Sequence, residues 1–226
     1  MPGNKGIIAG AVAGGRKVLD EFEAKELLRG YGVPVVAERA CVTRDETLAA
    51  CAAVGYPVVV KALSSKIAHK TERGLVKVGV RDEAEAAAAY DAIRAGSGAE
   101  FERVLVQRMV QSRRELVAGL TTDAQFGPCV MFGLGGIFTE AMKDVTFRVA
   151  PLEVRDAMEM MDEIRGRKLL GAVRGMPAAD LPALAELLVA TGRIGMENPE
   201  IREIDMNPVM LDGASPVVVD ALVILR

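Results

Sequence analysis

The segment at positions 203–208, Glu-Ile-Asp-Met-Asn-Pro, constrains the fold of this chain more than any other. Side chains of an extended strand alternate between its two faces, so Glu203, Asp205 and Asn207 share one face and apolar side chains take the other. The Asp-Gly pair at 212–213 favours a tight turn, and a run of three valines then begins a second strand. The C-terminal region is therefore predicted to close with a β-hairpin.

The register of this hairpin predicts a site. A turn centred between Gly213 and Ala214 places Asn207 opposite Asp220. Directly opposed residues have Cβ atoms about 4.5–5.5 Å apart, so both side chains can reach one cation. Oxygen ligands suit Mg²⁺, which keeps several waters and takes further ligands from substrate phosphates. The pattern predicts a metal–nucleotide site, and its alternative is a pair of acidic strand residues that face solvent.

Composition argues against two kinds of partner. The 226-residue chain has a formal net charge of −3, six phenylalanines, three tyrosines and no tryptophan, so we expect no nucleic-acid binding. The apolar run at 7–13 is too short to span a membrane, and residues 1–18 are predicted to form a mobile tail. Cys41, Cys51 and Cys129 show no metal-binding spacing, which is typical of reduced thiols in a cytoplasmic protein.

Hydrophobic spacing divides the chain into two regions. The first alternates helices with strands, and one of its helices begins after Thr43, where Glu46 completes a capping box. The second has mostly antiparallel strands with helices on one side. This order predicts an α+β fold of two lobes, residues 19–108 and 109–226, with a ligand cleft between them.

Cationic residues of the first lobe are candidates for phosphate contacts. Lys61 ends an apolar strand, where its ammonium is well placed to meet a phosphate. The polar loop at 64–74 contains His69 and Lys70. Backbone N–H groups and Lys70 can neutralise phosphate charge there, and a histidine nitrogen can accept a phosphoryl group. The alternatives are a solvated strand end and a solvated loop with an incidental histidine.

The second lobe contains a glycine-rich turn and three further polar candidates. The turn at 133–136, Gly-Leu-Gly-Gly, permits close backbone approach to a phosphate, but it lacks the downstream residues of a dinucleotide fingerprint or a P-loop. It is equally typical of a tight connection between strands. Glu115 is a candidate for a ribose hydroxyl, and Arg148 and Arg174 are candidates for phosphate; solvent exposure is the alternative for each.

Seven motifs occur in order between about residues 19 and 225. They lie at 23–28 with 31–34, 57–61, 67–74, 126–140, 150–152, 169–175, and 203–208 with Asp220. Together they resemble the ATP-grasp family, and specifically the β subunit of ADP-forming acyl-CoA synthetases, or the equivalent domain of fused members.

The resemblance implies a two-lobed ATP-grasp fold that clamps a Mg–nucleotide and interconverts acyl-CoA, ADP and phosphate with carboxylic acid, CoA and ATP. It implies a CoA-binding α subunit, in an α2β2 assembly, whose phosphohistidine delivers the phosphoryl group. Mg²⁺ is then the cofactor and ATP or ADP the substrate. The resemblance assigns the metal to Asn207 and Asp220 with Glu203 in support, the nucleotide and its phosphates to Lys61, Gly133, Gly135 and Gly136, the base to Gln107, Met109 and Val110, and a phosphoryl relay to His69. Glu115, as a further nucleotide contact, and Lys70 and Arg148, as further residues of phosphoryl transfer, complete the predicted site.

Three departures from the family pattern leave parts of the function open. Arg108 stands where an acidic residue is common, the arginine pair at 113–114 replaces part of a glycine-containing turn, and Leu75 replaces a second glycine. The first two leave ATP versus GTP open, and the acid and the physiological direction are open as well. Two other functions remain: a stand-alone ATP-grasp carboxylate–amine ligase and a non-catalytic nucleotide-binding regulatory subunit.

Overall fold

The structure is a computed structural model of an α+β protein. It describes residues 2–64, 66–67, 70–136 and 144–226, the first four of them by backbone alone. The α-helices of the described part are α1 Pro2–Ala13, α2 Glu21–Gly30, α3 Arg44–Val54, α4 Glu83–Ser97, α5 Val154–Glu163 and α6 Leu181–Glu197. Its strands are β1 Val18–Leu19, β2 Glu38–Cys41, β3 Val58–Leu63, β4 Val76–Val80, β5 Arg103–Arg108, β6 Glu115–Asp123, β7 Gly127–Leu134, β8 Val145–Val149, β9 Ile201–Asp212, β10 Ser215–Val218 and β11 Leu222–Leu225.

These elements form two compact units. The larger comprises residues 2–35 with Gln111–Arg226, and its antiparallel sheet has the strand order β1-β11-β9-β6-β7-β8, with β10 paired to β9. Helices α1, α2, α5 and α6 all contribute to one core with this sheet. On β9 the residues that enter the core include Ile204 and Met206.

The smaller unit, Val36–Val110, has an antiparallel sheet in the order β2-β5-β3-β4. Side chains of Val58 and Val60 on β3 and of Val104 and Val106 on β5 pack in one core with α3 and α4. The intervening residues of the same strands therefore point to the opposite face of this sheet.

Local chemistry explains where the helices begin. The Thr43 hydroxyl accepts a hydrogen bond from the Glu46 N–H at 3.2 Å while the Glu46 carboxylate accepts one from the Thr43 N–H, so the predicted capping box is confirmed. Asp20 and Glu23 form a second capping box at the start of α2. The Asp82 carboxylate caps α4.

The structure corrects two parts of the predicted organisation. The tail predicted at 1–18 contains helix α1 at Pro2–Ala13, and the side chains of Ile8 and Ala11, three positions apart on one face, are buried in the core. Residues 19–35 belong to the larger unit rather than to the lobe predicted at 19–108, because Leu27 and Leu28 pack into that core. The later boundary, after Val110, lies close to the predicted one.

Candidate functional site

Strand β9 presents three polar side chains on one face, as predicted. Ile204 and Met206 are buried in the core, at 2% and 0% exposure. Glu203, Asp205 and Asn207 alternate with them and line a groove of about 260 Å³ on the other face of the sheet. The strand periodicity thus brings two carboxylates and an amide together.

The predicted register of the closing ribbon is confirmed on both sides of Asn207. On one side Val218 pairs with Val209, and on the other Leu222 pairs with Asp205. The two pairings have the same offset, so Asn207 and Asp220 fall at facing positions in the gap between β10 and β11. Both side chains carry an oxygen that can bind a metal ion, and both residues belong to the larger unit.

Negative charge is concentrated at this position. The pKa of Asp205 lies above its ordinary value, first because the carboxyl is buried and then because Glu203 and Asp220 add negative potential. Among the described residues, no three His, Cys, Asp or Glu side chains converge to hold a metal ion by themselves. The amide of Asn207 supplies a further oxygen, and this hard donor set fits Mg²⁺, which completes its coordination with water and phosphate.

The groove continues across the sheet from the polar residues of β9 to apolar residues of β7 and β8. Asp205 pairs with Gly119 on β6, Gly119 with Met131 on β7, and Met131 with Phe147 on β8. Phe147 is 50% exposed. Gly119 has no room for a side chain, because a Cβ there would lie 2.4 Å from the carbonyl oxygen of Ile204. The groove therefore has carboxylate and amide oxygens at one end and apolar surface at the other.

The glycine-rich segment borders the start of β6. Gly133 lies inside β7 rather than in a turn, and a Cβ there would lie 2.4 Å from the Asp144 carbonyl oxygen. The Gly135 N–H donates to the Glu115 carbonyl at 2.7 Å, and Gly136 has a φ of +63°. Close packing and a positive φ therefore account for glycine at these positions. Binding of phosphate by the segment stays a prediction.

The smaller unit contains four of the predicted nucleotide residues. Lys61 on β3 is 7% exposed, and Gln107 on β5 is 3% exposed. Both alternate with the core valines of their strands, so Lys61 and Gln107 lie on the sheet face opposite α3 and α4. Met109, whose N–H donates to the Pro57 carbonyl, follows β5 directly.

Four further predicted residues are placed less specifically or not at all. Val110 is buried and is the last residue of the smaller unit. Lys70 accepts a backbone hydrogen bond from Leu75 at 2.8 Å through its carbonyl oxygen. His69 lies outside the described residues, so its predicted role remains a prediction. Glu115 lies at the edge of the groove face, beside Gly136.

Arg148 requires a correction. It alternates on β8 with Phe147, which lines the groove, so the Arg148 side chain points to the other face of the sheet. There its guanidinium binds both carboxylate oxygens of Glu163 on α5, with Nη1 to Oε2 at 3.1 Å. This ion pair lowers the pKa of Glu163. The structure thus gives Arg148 a role in joining α5 to the sheet and does not bring it to the groove.

The family of the chain follows from its similarity to known proteins. The family described as the ATP-grasp domain matches residues 10–225 of the chain. The chain belongs to the ATP-grasp family. The ATP-grasp assignment covers both compact units, and the α+β fold predicted from the sequence is confirmed.

Similar ATP-grasp proteins include subunits of acetate–CoA ligases. The chain is 42% identical over 212 residues to the β subunit of acetate–CoA ligase [ADP-forming] I of Pyrococcus furiosus, covering 92% of this chain and 91% of that protein. It is 38% identical to the β subunit of acetate–CoA ligase [ADP-forming] II of the same organism, with 97% of each chain covered.

Solved structures of an acetyl-coenzyme A synthetase also match the chain over nearly its whole length. Acetyl-coenzyme A synthetase 1 of Ca. Korarchaeum cryptofilum, in complex with coenzyme A, Ca-AMPCP and HgCl⁺, superposes with a TM-score of 0.95 at 43% identity over 99% of this chain and 100% of that one. Another structure of that protein contains Mg-AMPPCP, with a phosphohistidine segment pointing towards the nucleotide binding site, at a TM-score of 0.90 and 43% identity over 99% of this chain and 100% of that one.

Within the described part of the ATP-grasp chain, no helix is both long and apolar enough to cross a membrane.

Sequence reasoning left two residues of the larger unit without a role. Asp205 shares the strand face of Glu203 and Asn207, and this alternation was a sufficient signal to include it in the site. Arg114 gave no such signal. Its buried guanidinium donates to the carbonyl oxygens of Leu169, Gly171 and Gly213, which joins the tip of the closing hairpin to the segment after α5.

Proposed function

We propose that this ATP-grasp chain is the nucleotide-binding β subunit of an ADP-forming acyl-CoA synthetase. The overall reaction converts acyl-CoA, ADP and phosphate into carboxylic acid, CoA and ATP. The observation that carries the proposal is the facing position of Asn207 and Asp220 on the closing ribbon, because an amide and a carboxylate oxygen there are hard ligands for a nucleotide-bound Mg²⁺. The proposal is supported by the 42% identity to an acetate–CoA ligase β subunit.

The residues of the chain have distinct parts in this function. Asn207 and Asp220 hold Mg²⁺, and Glu203 supports them from the same groove. The ion, when bound, neutralises phosphate oxygens during phosphoryl transfer. Lys61 and the backbone N–H groups near Gly136 contact the phosphates, where fixed positive charge stabilises the transferring group.

Further residues contact the nucleotide outside its phosphates. Glu115 accepts a hydrogen bond from a ribose hydroxyl. Gln107, Met109 and Val110, at the end of β5, contact the base. The position of Gln107 on the same sheet face as Lys61 supports this assignment, because one ligand lying along that face can meet both side chains.

The phosphoryl group arrives on a histidine nitrogen. In the transfer step the N–P bond breaks in a phosphohistidine that carries a proton on its other ring nitrogen, and a terminal oxygen of the ADP β-phosphate forms the new P–O bond. The electron pair of the broken bond stays on the nitrogen, which yields ATP and a neutral imidazole. His69, with Lys70 beside it, relays the group from the histidine of the partner. Positioning and charge neutralisation supply the rate in such transfers.

A CoA-binding α subunit completes the enzyme. Relatives such as the acetate–CoA ligase [ADP-forming] I of Archaeoglobus fulgidus are longer, and the chain spans 31% of that protein, which supports a partner that carries the remaining chemistry. We assign the assembly two α and two β subunits and a cytoplasmic location, where its free thiols Cys41, Cys51 and Cys129 stay reduced.

Calorimetric titration of the purified chain with ADP, in excess Mg²⁺ and in EDTA, tests the metal assignment. We expect Mg²⁺ to tighten ADP binding, and Asp220→Asn and Asn207→Ala each to reduce that effect about 10-fold. Asp212→Asn, at the tip of the same hairpin, is the control and should leave it unchanged. Binding that ignores Mg²⁺ would contradict the site, and acyl-CoA formation by the chain without an α subunit would contradict the β-subunit assignment.

A further inference from the structure

Helix α2 contains a buried ion pair that the proposed function leaves unexplained. The side chains of Glu21 and Lys25, one turn apart, are 3% and 0% exposed, and Lys25 Nζ lies 2.9 Å from Glu21 Oε1. Transferring two charges from water to a protein interior is costly, and apolar residues of similar size are often as stabilising or better. Stability alone therefore gives no reason for a lysine here.

A second contact of the ammonium leads to the metal site. Lys25 Nζ donates to the carbonyl oxygen of Val219 at 3.2 Å. This carbonyl is part of the peptide group that joins Val219 to Asp220. The N–H of Val219 donates to the carbonyl of Pro208 at 3.2 Å, and Pro208 directly follows Asn207. Val219 thus links Lys25 to the backbone beside each member of the facing pair, because it precedes Asp220 in the chain and bonds to the residue that follows Asn207.

The position of Asp220 needs such support. Strand β10 ends at Val218 and β11 begins at Leu222, so regular strand pairing is interrupted where Asp220 lies. The carboxylate also lies near Asp205 and adds to the negative potential there, which favours movement of the chain away from the cluster.

We propose that Lys25 is a positioning residue for the metal ligand Asp220. It fixes the peptide group before Asp220 through Val219, while Glu21 holds the ammonium in place and balances its charge. This inference rests on the proposed function, since it assigns Lys25 a role toward Mg²⁺. Groups that orient a metal ligand through hydrogen bonds, without binding the metal themselves, typically account for about 10- to 100-fold in metal affinity.

The test uses the full chain and measures the ratio of ADP affinity with Mg²⁺ to that in EDTA. Lys25→Met removes the hydrogen bonds at similar volume, and the double variant Glu21→Gln/Lys25→Met also avoids an unpaired buried carboxylate. We expect the ratio to fall about 10-fold in both, with ADP affinity in EDTA within about 2-fold of the wild-type value. If Lys25→Met fails to fold, the double variant carries the test. Arg16→Met is the control, because it removes another ion pair made by this helix, Arg16–Glu23, which lies nearer the surface.

A double-mutant cycle separates positioning from general stability. If Lys25 acts through Asp220, Lys25→Met should change the ratio less than about 2-fold in an Asp220→Asn background, which is a non-additive result. A purely structural role predicts a lower Tm with an unchanged ratio, or equal losses in both backgrounds, and either result overturns the inference. A wild-type protein that binds ADP equally well without Mg²⁺ overturns the proposed function itself, so the two failures are distinguishable.

Discussion

The carboxylate of Glu115 occupies the space where a side chain at Gly136 would begin. Its Oε2 atom lies 2.7 Å from the ideal Cβ position of Gly136, and the Gly135 N–H donates to the Glu115 carbonyl. The glycine-rich segment is therefore packed directly against Glu115, the first residue of β6. Any side chain at Gly136 must displace a group that we assign to the nucleotide.

Gly136→Ala is expected to weaken ADP binding about 10-fold by moving the Glu115 carboxylate. The substitution also places alanine at a φ of +63°, which costs about 1–2 kcal/mol of stability. Gly213→Ala is the matched control, because Gly213 has a φ of +64° and open space around its Cβ position. Thermal melts and calorimetry should show similar losses of stability and a loss of affinity in Gly136→Ala alone. Equal affinities in the two variants would contradict a role for Glu115.

Arg114→Ala is expected to destabilise the larger unit by about 2–4 kcal/mol. The buried guanidinium donates to three carbonyl oxygens, and its loss leaves these acceptors without a charged donor and opens a cavity. Urea denaturation measures the change. Arg113→Ala, one residue earlier and exposed, is the control and should change the free energy of unfolding by less than about 0.5 kcal/mol. A neutral effect of Arg114→Ala would show that the hairpin tip is held by other contacts.

Arg148→Gln is expected to leave Mg-ADP binding unchanged, because the guanidinium lies on the sheet face opposite the groove. The same substitution should alter acid stability. The ion pair holds the pKa of Glu163 below its usual value, so its contribution is present above the unfolded pKa and is lost as pH falls through the folded one. Calorimetry at neutral pH and thermal melts from about pH 3 to 7 test the two statements. A loss of ADP affinity would restore Arg148 to the site.

Cys51 is expected to resist alkylation in the folded protein. Burial raises the pKa of its thiol from 9.0 to about 11, so at about pH 8 its thiolate fraction is about 100-fold lower than that of an unperturbed thiol. Cys129, which is partly exposed, should react first with iodoacetamide. Mass spectrometry of timed samples identifies the labelled residue, and labelling in urea provides the reference rate. Fast modification of Cys51 in native buffer would contradict its burial.

Much of the candidate site could be predicted from the sequence because its causes are local. Strand alternation places Glu203, Asp205 and Asn207 on one face, and the Asp-Gly turn sets the register that brings Asp220 opposite Asn207. The capping box of Thr43 and Glu46 depends on residues three positions apart. In each case the interacting atoms are near one another along the chain, so residue type and spacing are sufficient.

The partners of buried charges could not be predicted in this way. The sequence predicts a phosphate contact for Arg148, but the packing of α5 against the sheet places Glu163 beside its guanidinium. The sequence predicts a tail at 1–18, but Ile8 and Ala11 pack into the core of the larger unit. Lys25 contacts Val219, a residue 194 positions away, only because α2 packs against the closing ribbon. By itself the sequence determined the strand periodicity, the turn and the identity of the oxygen donors. The tertiary structure decided which distant group each charge meets, because the free energy of a buried charge depends on the atoms around it and not on its neighbours in the chain.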